Sequence, residues 1–411
     1  MEGAMNFRHL APVRGGVAAL LGGALILAGT SANAQTAAEL FDNTYVHEIR
    51  LSMHSGDWAT LQARYLENTY YAADFAWNGY VVRNVGVRSR GSGSRDPRKP
   101  GLKIAFDEFV GDQTFAGLKS VALDNFRQDA GMMKESLSMQ LFRRMGLAAP
   151  RVVHARVYIN NDYLGLFAMI EAVDKRFLKS ALGENGGYLY EFEWSGTYRF
   201  EWLSADPMRY APMFAPKTHE DDPPDVLWGH IAAMVETANH ASRHEWESGM
   251  ARFVDFESLL AYLAVESYLS DHDGFAGDWG LNNFYLYRYQ ERDRFVVIPW
   301  DKDVNFRELE RSVFEGTADH ALFSTALSYP RLRDIYVAAL RRCAAIADAR
   351  DADGGTAGWL EREVARIAAM IRASAVADST KAYTNDRFEQ EVAWMLRFAR
   401  YRGADVLEQV R

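Results

Sequence analysis

The sequence predicts an α+β chain with a sheet-bearing N-terminal lobe, 35–224, and a mainly helical C-terminal lobe, 225–411. Three observations predict it. Period-two alternation of apolar residues is concentrated before Val173, helical periodicity dominates after about residue 225, and one hairpin pattern at 283–300 interrupts the helices.

Residues 1–34 stand apart from the fold. Arg8 and Arg14 precede the apolar run VAALLGGALILAG, which ends in Ser-Ala-Asn-Ala-Gln, a small-residue cleavage pattern that makes Gln35 the expected mature N-terminus. No cysteine stands at that site, as a lipoprotein would need, and no other stretch reaches the ~18 apolar residues of a membrane span. The mature chain is expected to be exported, periplasmic or extracellular, with no transmembrane anchor.

The folded part begins with YVHEIRLSM, a strand, and DWATLQARYLE, a helix. FAWNGYVVRNVGVRSRG and KPGLKIAFDEF alternate as strands around a Gly/Ser/Arg/Pro loop. Met133, Leu137, Leu141 and Met145 recur every four residues and stop at Gly146, which predicts an amphipathic helix over 132–146. VHARVYIN and YLGLFAMIEAV resume strand character around an Asn-Asn-Asp turn. HEDDPPD (219–225) reads as a linker. Helices then follow to the C-terminus, with a loop at 352–359.

Composition narrows the function classes. A single cysteine, Cys343, excludes an internal disulfide, so stability must come from a core drawn from 48% hydrophobic residues. Without Glu2, Arg8 and Arg14 the chain carries 44 basic and 54 acidic residues, a net charge of −10. That balance, with no basic run, gives no nucleic-acid signature. The ten histidines show no HExxH, one cysteine cannot build a thiolate zinc site, and no G-x-S-x-G elbow is present. Paired carboxylates of a glycosidase type stay open, because sequence does not measure their separation.

Chemistry concentrates between Asp271 and Asp303, in DHDGFAGDWGLNNFYLYRYQERDRFVVIPWDKD. NNFYLYRYQ and RFVVIPW, separated by a charged turn, form a hairpin. Asp278 and Asn283 precede its first strand, while Asp301 and Asp303 follow its second. Closing the hairpin brings these oxygen donors together in a set that suits a hard cation such as Mg²⁺. The five-residue step from Asp278 to Asn283 is also that of the Asp and Asn of a kinase catalytic loop. There is no HRD or DFG, and Asp and Asn are common turn formers, so a solvated loop explains the pair equally well.

The chain resembles the spore coat protein H family, the CotH kinase-like proteins. The resemblance is carried by GVRSRGSGSRDPRKPGLKIAFDEF (86–109), LKSVALDNFRQDAGMMKESLSMQLFRRMGLAAPR (118–151), VYINNDYLGLFAMIEAVDKRFLK (157–179), DGFAGDWGLNNFYLYR (273–288), IPWDKD (298–303) and FARYRGADVLEQV (398–410). It implies a two-lobed, much diverged protein-kinase fold, with ATP and Mg²⁺ or Mn²⁺ as cofactors and a secreted or envelope protein as acceptor. It also implies roles. Lys103, with Lys99 as its rival, would contact phosphates and pair with Glu135; Arg88 and Arg90 of the Gly/Ser/Arg loop would join the nucleotide site. Glu171 would sit between the lobes, facing a nucleotide or Lys103. Asp278, or Asp273 of the DGF triplet, would be the base, with Asn283, Asp301 and Asp303 at the metal.

Each role has a plainer explanation. A strand lysine is usually a solvated one, and a Glu near a helix start, such as Glu135 or Glu171, satisfies the helix dipole. His272 reads as structural. An inactive kinase-fold scaffold and an AMP-transferring enzyme are the competing functions, and scarce ATP outside the cytoplasm is the main physical objection to a kinase.

Overall fold

The computed structural model describes residues 36–352 and 355–411; the expected signal peptide lies outside them. A one-turn helix, α1 (Ala37–Leu40), is closed by a capping box between Thr36 and Glu39. Strand β1 (His47–Met53) buries every second residue, as its alternation requires. Helix α2 (Ser55–Ala63) follows, then the hairpin of β2 (Tyr71–Trp77) and β3 (Tyr80–Arg90). Its turn is Asn78-Gly79 with φ of 49° and 83°, the two positive values that a two-residue hairpin turn requires. Next come β4 (Gly101–Ala105), β5 (Ser120–Asp124), α3 (Lys134–Arg144), β6 (Val152–Ile159) and β7 (Asp162–Glu171).

These seven strands close into a barrel in the order β1-β2-β3-β4-β5-β7-β6. Closure comes from parallel pairing of β1 with β6, which sets Ile49 opposite Val157. Ile49, Phe75, Val87, Ile104, Leu123, Val157 and Phe167 are among the residues filling its core. Helix α3 is as expected: Met133, Leu137, Leu141 and Met145 are all buried, and Gly146 takes φ of 80° where the helix ends.

Beyond the barrel lie α4 (Lys175–Leu182), β8 (Tyr188–Phe192), β9 (Phe214–Pro216), α5 (Pro224–His240), α6 (Trp246–Met250) and α7 (Phe256–Tyr268). Strands β10 (Phe284–Arg288) and β11 (Phe295–Pro299) form the expected hairpin. Helices α8 (Ala321–Ala326), α9 (Pro330–Ala347), α10 (Trp359–Ala377) and α11 (Asn385–Gln409) complete the chain. Among the described residues, no helix is long and apolar enough to cross a membrane.

The mixed α+β class is as expected, and three details differ. The N-terminal sheet is a closed barrel, which local alternation cannot announce. A second sheet runs β11-β10-β8-β9, so strands before and after the expected boundary at 224 belong to one sheet. The described residues accordingly pack as one compact unit. The HEDDPPD stretch leads directly into α5, with Asp222 accepting a hydrogen bond from the Tyr188 hydroxyl at 2.8 Å, so it is anchored to that sheet.

Candidate active site

The β10–β11 hairpin does what its sequence promised. Phe284 pairs with Pro299, and just beyond them the Trp300 amide donates to the Asn283 carbonyl at 3.1 Å. Asn283 and Asp301 flank this closure, with φ of 57° and 50°. Left-handed backbone costs a non-glycine residue of order 1 kcal/mol, so both ends are held there by the surrounding structure.

The loop between α7 and β10 carries Asp273. Its two carboxylate oxygens accept from the side-chain amides of Asn282 and Asn283, each at 3.0 Å. Burial raises the Asp273 pKa and the field of Asp271 adds to that, while the two amides oppose it. Asp278, five residues on, is committed elsewhere. Arg311 donates to both of its oxygens, at 2.5 and 2.8 Å, and His272 Nδ1 lies 2.6 Å away. The Arg311 hydrogen bonds hold the Asp278 carboxyl below its ordinary range.

A buried ion cluster fixes this loop against the segment after β11. Lys302 Nζ donates to Glu266 at 2.7 Å and to Asp271 at 2.9 Å. Glu266 also accepts the backbone amides of Phe275 and Ala276, and Asp271 accepts that of Asp273. Burial opposes the Lys302 charge, but Asp271 and Glu266 more than offset it and its pKa rises. Gly274 is required at this approach: a Cβ there would stand 2.4 Å from Glu266 Oε1. Arg402 of α11 braces the same region, donating to the carbonyls of Ser267, Tyr268, Leu309 and Arg311.

A second set of carboxylates has no such partners. Glu135 is 2% exposed, and both of its oxygens lack a hydrogen bond. Burial raises its pKa well above the usual range, and the fields of Asp301 and Asp124 add to it. Asp303 is raised well above its usual value by burial, then by Asp301, Asp124 and Glu135. Burial likewise pushes Asp301 up to about 6, with Arg90 opposing and Asp124 and Asp273 adding. Burial opposes the Arg90 charge, but Asp301, Asp124 and Glu135 outweigh it and its pKa rises. Among the described residues, no three His, Cys, Asp or Glu side chains form a ready metal cage. Two carboxylates with an amide oxygen, the set offered by Asp301, Asp303 and Asn283, nevertheless fit Mg²⁺, which takes one or two carboxylates and completes its shell with water and phosphate.

Arg90 also faces a cleft of about 810 Å³, lined with Arg88, Lys103, Lys119, Lys175, Arg176 and Lys217, with Tyr285 and Trp300 at its wall. Asp174, Glu191 and Glu220 only partly balance those cations. Arg88 is steadied by Asn68, to which it donates at 3.0 Å, and Lys103 stands opposite Arg88 in the β3–β4 register. A smaller apolar cavity of about 250 Å³ lies near Phe214, Met234, Phe275 and Leu286, apart from these charges.

The structure therefore brings together Arg88, Arg90 and Lys103 on one side and Asp273, Asn283, Asp301, Asp303 and Glu135 on the other, and it corrects two expectations. Lys103 forms no ion pair with Glu135; the cation whose field reaches that carboxylate is Arg90. Glu171 does not face the cleft but is gripped by Arg151 through two side-chain hydrogen bonds, at 2.5 and 2.8 Å, because β7 ends beside the start of β6. Asp278, the other candidate base, accepts two hydrogen bonds from Arg311. The rival lysine, Lys99, is buried against Asp378 at 2.7 Å and bears on packing alone. Sequence reasoning missed Asp124, Asn282, Lys302, Arg311 and Arg402. Only Asn282 and Lys302 carried a signal, as neighbours within the Asn-Asn doublet and IPWDKD.

Comparison with known proteins gives the site its context. The Inner spore coat protein H of Bacillus subtilis (strain 168) is 26% identical over 229 residues, which is 54% of this chain. The match spans 59% of that relative's length. A solved structure, the Helicobacter pylori proinflammatory kinase CtkA, aligns over 79% of this chain and 93% of its own, at 9% identity and a TM-score of 0.30, which is too low to argue from. The family model described as CotH kinase protein matches residues 87–406, taking in the barrel from β3 onward, the hairpin and the C-terminal helices. The chain belongs to the CotH kinase protein family.

Proposed function

We propose that this protein is an exported, Mg²⁺-dependent atypical protein kinase, kinase-like and two-lobed in its functional plan, that transfers phosphate from ATP to a Ser or Thr of a secreted or envelope protein. The observation that carries the reading is a basic cleft that shares Arg90 with a group of carboxylates in which Glu135 is buried without a hydrogen bond. Arg88, Arg90 and Lys103 bind the polyphosphate, and Tyr285 and Trp300 wall the cleft. Asn283, Asp301 and Asp303 hold the cation, which when bound neutralises charge developing on the transferred group.

Asp273 is the base. Asn282 and Asn283 fix its carboxylate plane, and its raised pKa prepares it to accept the proton of an acceptor hydroxyl. Asp278 acts as a brace through Arg311. The test is transfer of labelled phosphate from ATP to proteins of an envelope extract, read by mass spectrometry. D273N should lower transfer by about 10²–10⁴-fold, whereas D278N should keep transfer within about tenfold of wild type, because it leaves the base in place. The opposite ranking would return the base to Asp278.

One observation favours a second reading: the curated relative is named as a spore coat protein. On that reading the chain is an inactive kinase-fold scaffold of an envelope or surface layer. Well-folded wild type that neither binds ATP nor transfers phosphate would support it.

A further inference from the structure

Glu135 poses a physical problem that the phosphate-clamp role does not solve. It lies in the first turn of α3, 2% exposed, with neither oxygen hydrogen-bonded. A buried carboxylate in that condition is costly unless something pairs with it. Its neighbours deepen the problem. One turn along α3, the Ser138 hydroxyl accepts from Asn305 at 2.9 Å and lies 3.5 Å from the Lys302 carbonyl, which sets this helix against the segment carrying Asp301 and Asp303, and Asp301 and Asp124 act on Glu135 with like charge.

The cations that might answer are already engaged. Lys134, next in sequence, pairs with Glu391 at 2.9 Å; Lys302 pairs with Glu266 and Asp271; Lys99 pairs with Asp378. Asp129, whose oxygens accept three backbone amides, adds like charge. Arg90 opposes the Glu135 charge but is shared with Asp124 and Asp301, and Lys302 acts on Asp301 as well. Glu135 is thus left with one shared guanidinium and no hydrogen bond to either oxygen.

We infer that Glu135 is a direct ligand of a divalent cation, held between Glu135 and Asp301, and not the ion-pair partner of Lys103. The inference rests on the reading of the hairpin-end carboxylates as a cation site. Two carboxylates supplemented by water and phosphate oxygens form a normal shell for a small hard cation, so no all-protein cage is needed. Arg90 then serves the phosphates from the cleft side.

The experiment is Mn²⁺ titration of the purified protein without nucleotide, followed by electron paramagnetic resonance, for wild type, E135Q, E135D and K103M. Thermal melting of each cation-free protein checks its folding. Wild type should bind Mn²⁺, E135Q at least tenfold more weakly, E135D in between, and K103M as wild type. Cation-free E135Q should melt close to wild type, since Gln has the same shape and the Glu135 carboxyl has no hydrogen bond to lose. Wild-type affinity in E135Q, or no Mn²⁺ binding by wild type, would overturn the inference. Equal loss of ATP affinity in E135Q and K103M, with Mn²⁺ binding intact, would restore the clamp. Failure of the nucleotide reading shows separately, as wild type that binds Mn²⁺ but never ATP.

Discussion

Two groups of buried carboxylates meet at the end of the β10–β11 hairpin, and they are built in opposite ways. Around Lys302, Glu266 and Asp271 every charge is answered: one ammonium serves two carboxylates, and three backbone amides take up further oxygen lone pairs. Around Arg90 the charges of Asp124, Glu135 and Asp301 share one guanidinium, and neither oxygen of the Glu135 carboxylate has a hydrogen bond. The first arrangement holds the loop between α7 and β10 to the segment after β11. The second makes physical sense as a site that is completed from outside. Burial by itself does not distinguish them; the hydrogen bonds to Glu266 and Asp271, against their absence at the Glu135 carboxylate, do.

Breaking the satisfied cluster should have the largest effect. K302M leaves Glu266 and Asp271 buried without their cation, and a loss of about 3–5 kcal/mol is expected in urea denaturation. A loss under about 1 kcal/mol would mean that the two clusters do not differ as described.

Removing charge from the open cluster should act with the opposite sign. Asp301 is raised from 3.8 to about 6, chiefly by burial. Its native form therefore holds a proton more tightly than the unfolded chain does, and cation-free stability falls as pH rises from about 4 through 6. D301N removes that slope. At pH 7 without divalent cations it should be more stable than wild type by on the order of 1–3 kcal/mol, and the gain should vanish near pH 4. A pH-independent difference between the two proteins would contradict this account.

The smallest effect is expected at Glu171, which lies outside both clusters. E171Q should cost about 1 kcal/mol through Arg151 and leave ATP affinity within about twofold. A larger loss of affinity would put Glu171 back between nucleotide and barrel.

Much of this was legible along the chain, and the rest was not for identifiable reasons. The α3 stripe, the Asn160-Asn161 turn between β6 and β7, and the 283–300 hairpin are local patterns, and each formed where its residues indicated. Asn283 and Asp301 were visible because a hairpin converts sequence spacing into proximity. Barrel closure was not visible, since it joins Ile49 to Val157 across more than a hundred residues. Nor was the fate of Asp278, whose partner Arg311 lies 33 residues away with no motif linking them. The kinase-like spacing favoured Asp278 over Asp273, while the hydrogen bonding favours Asp273. Glu135 and Lys103 looked like a pair because both types were present at suitable places. Which cation a carboxylate meets depends on side-chain directions that spacing does not record.

The most direct test of the central claim, that the basic cleft and the open carboxylates form one nucleotide site, is isothermal titration of the purified protein with ATP, with and without Mg²⁺, beside D301A. The account predicts Mg²⁺-dependent binding that D301A abolishes while remaining folded. No binding to well-folded wild type under either condition, or binding indifferent to Mg²⁺ and to D301A, would contradict it.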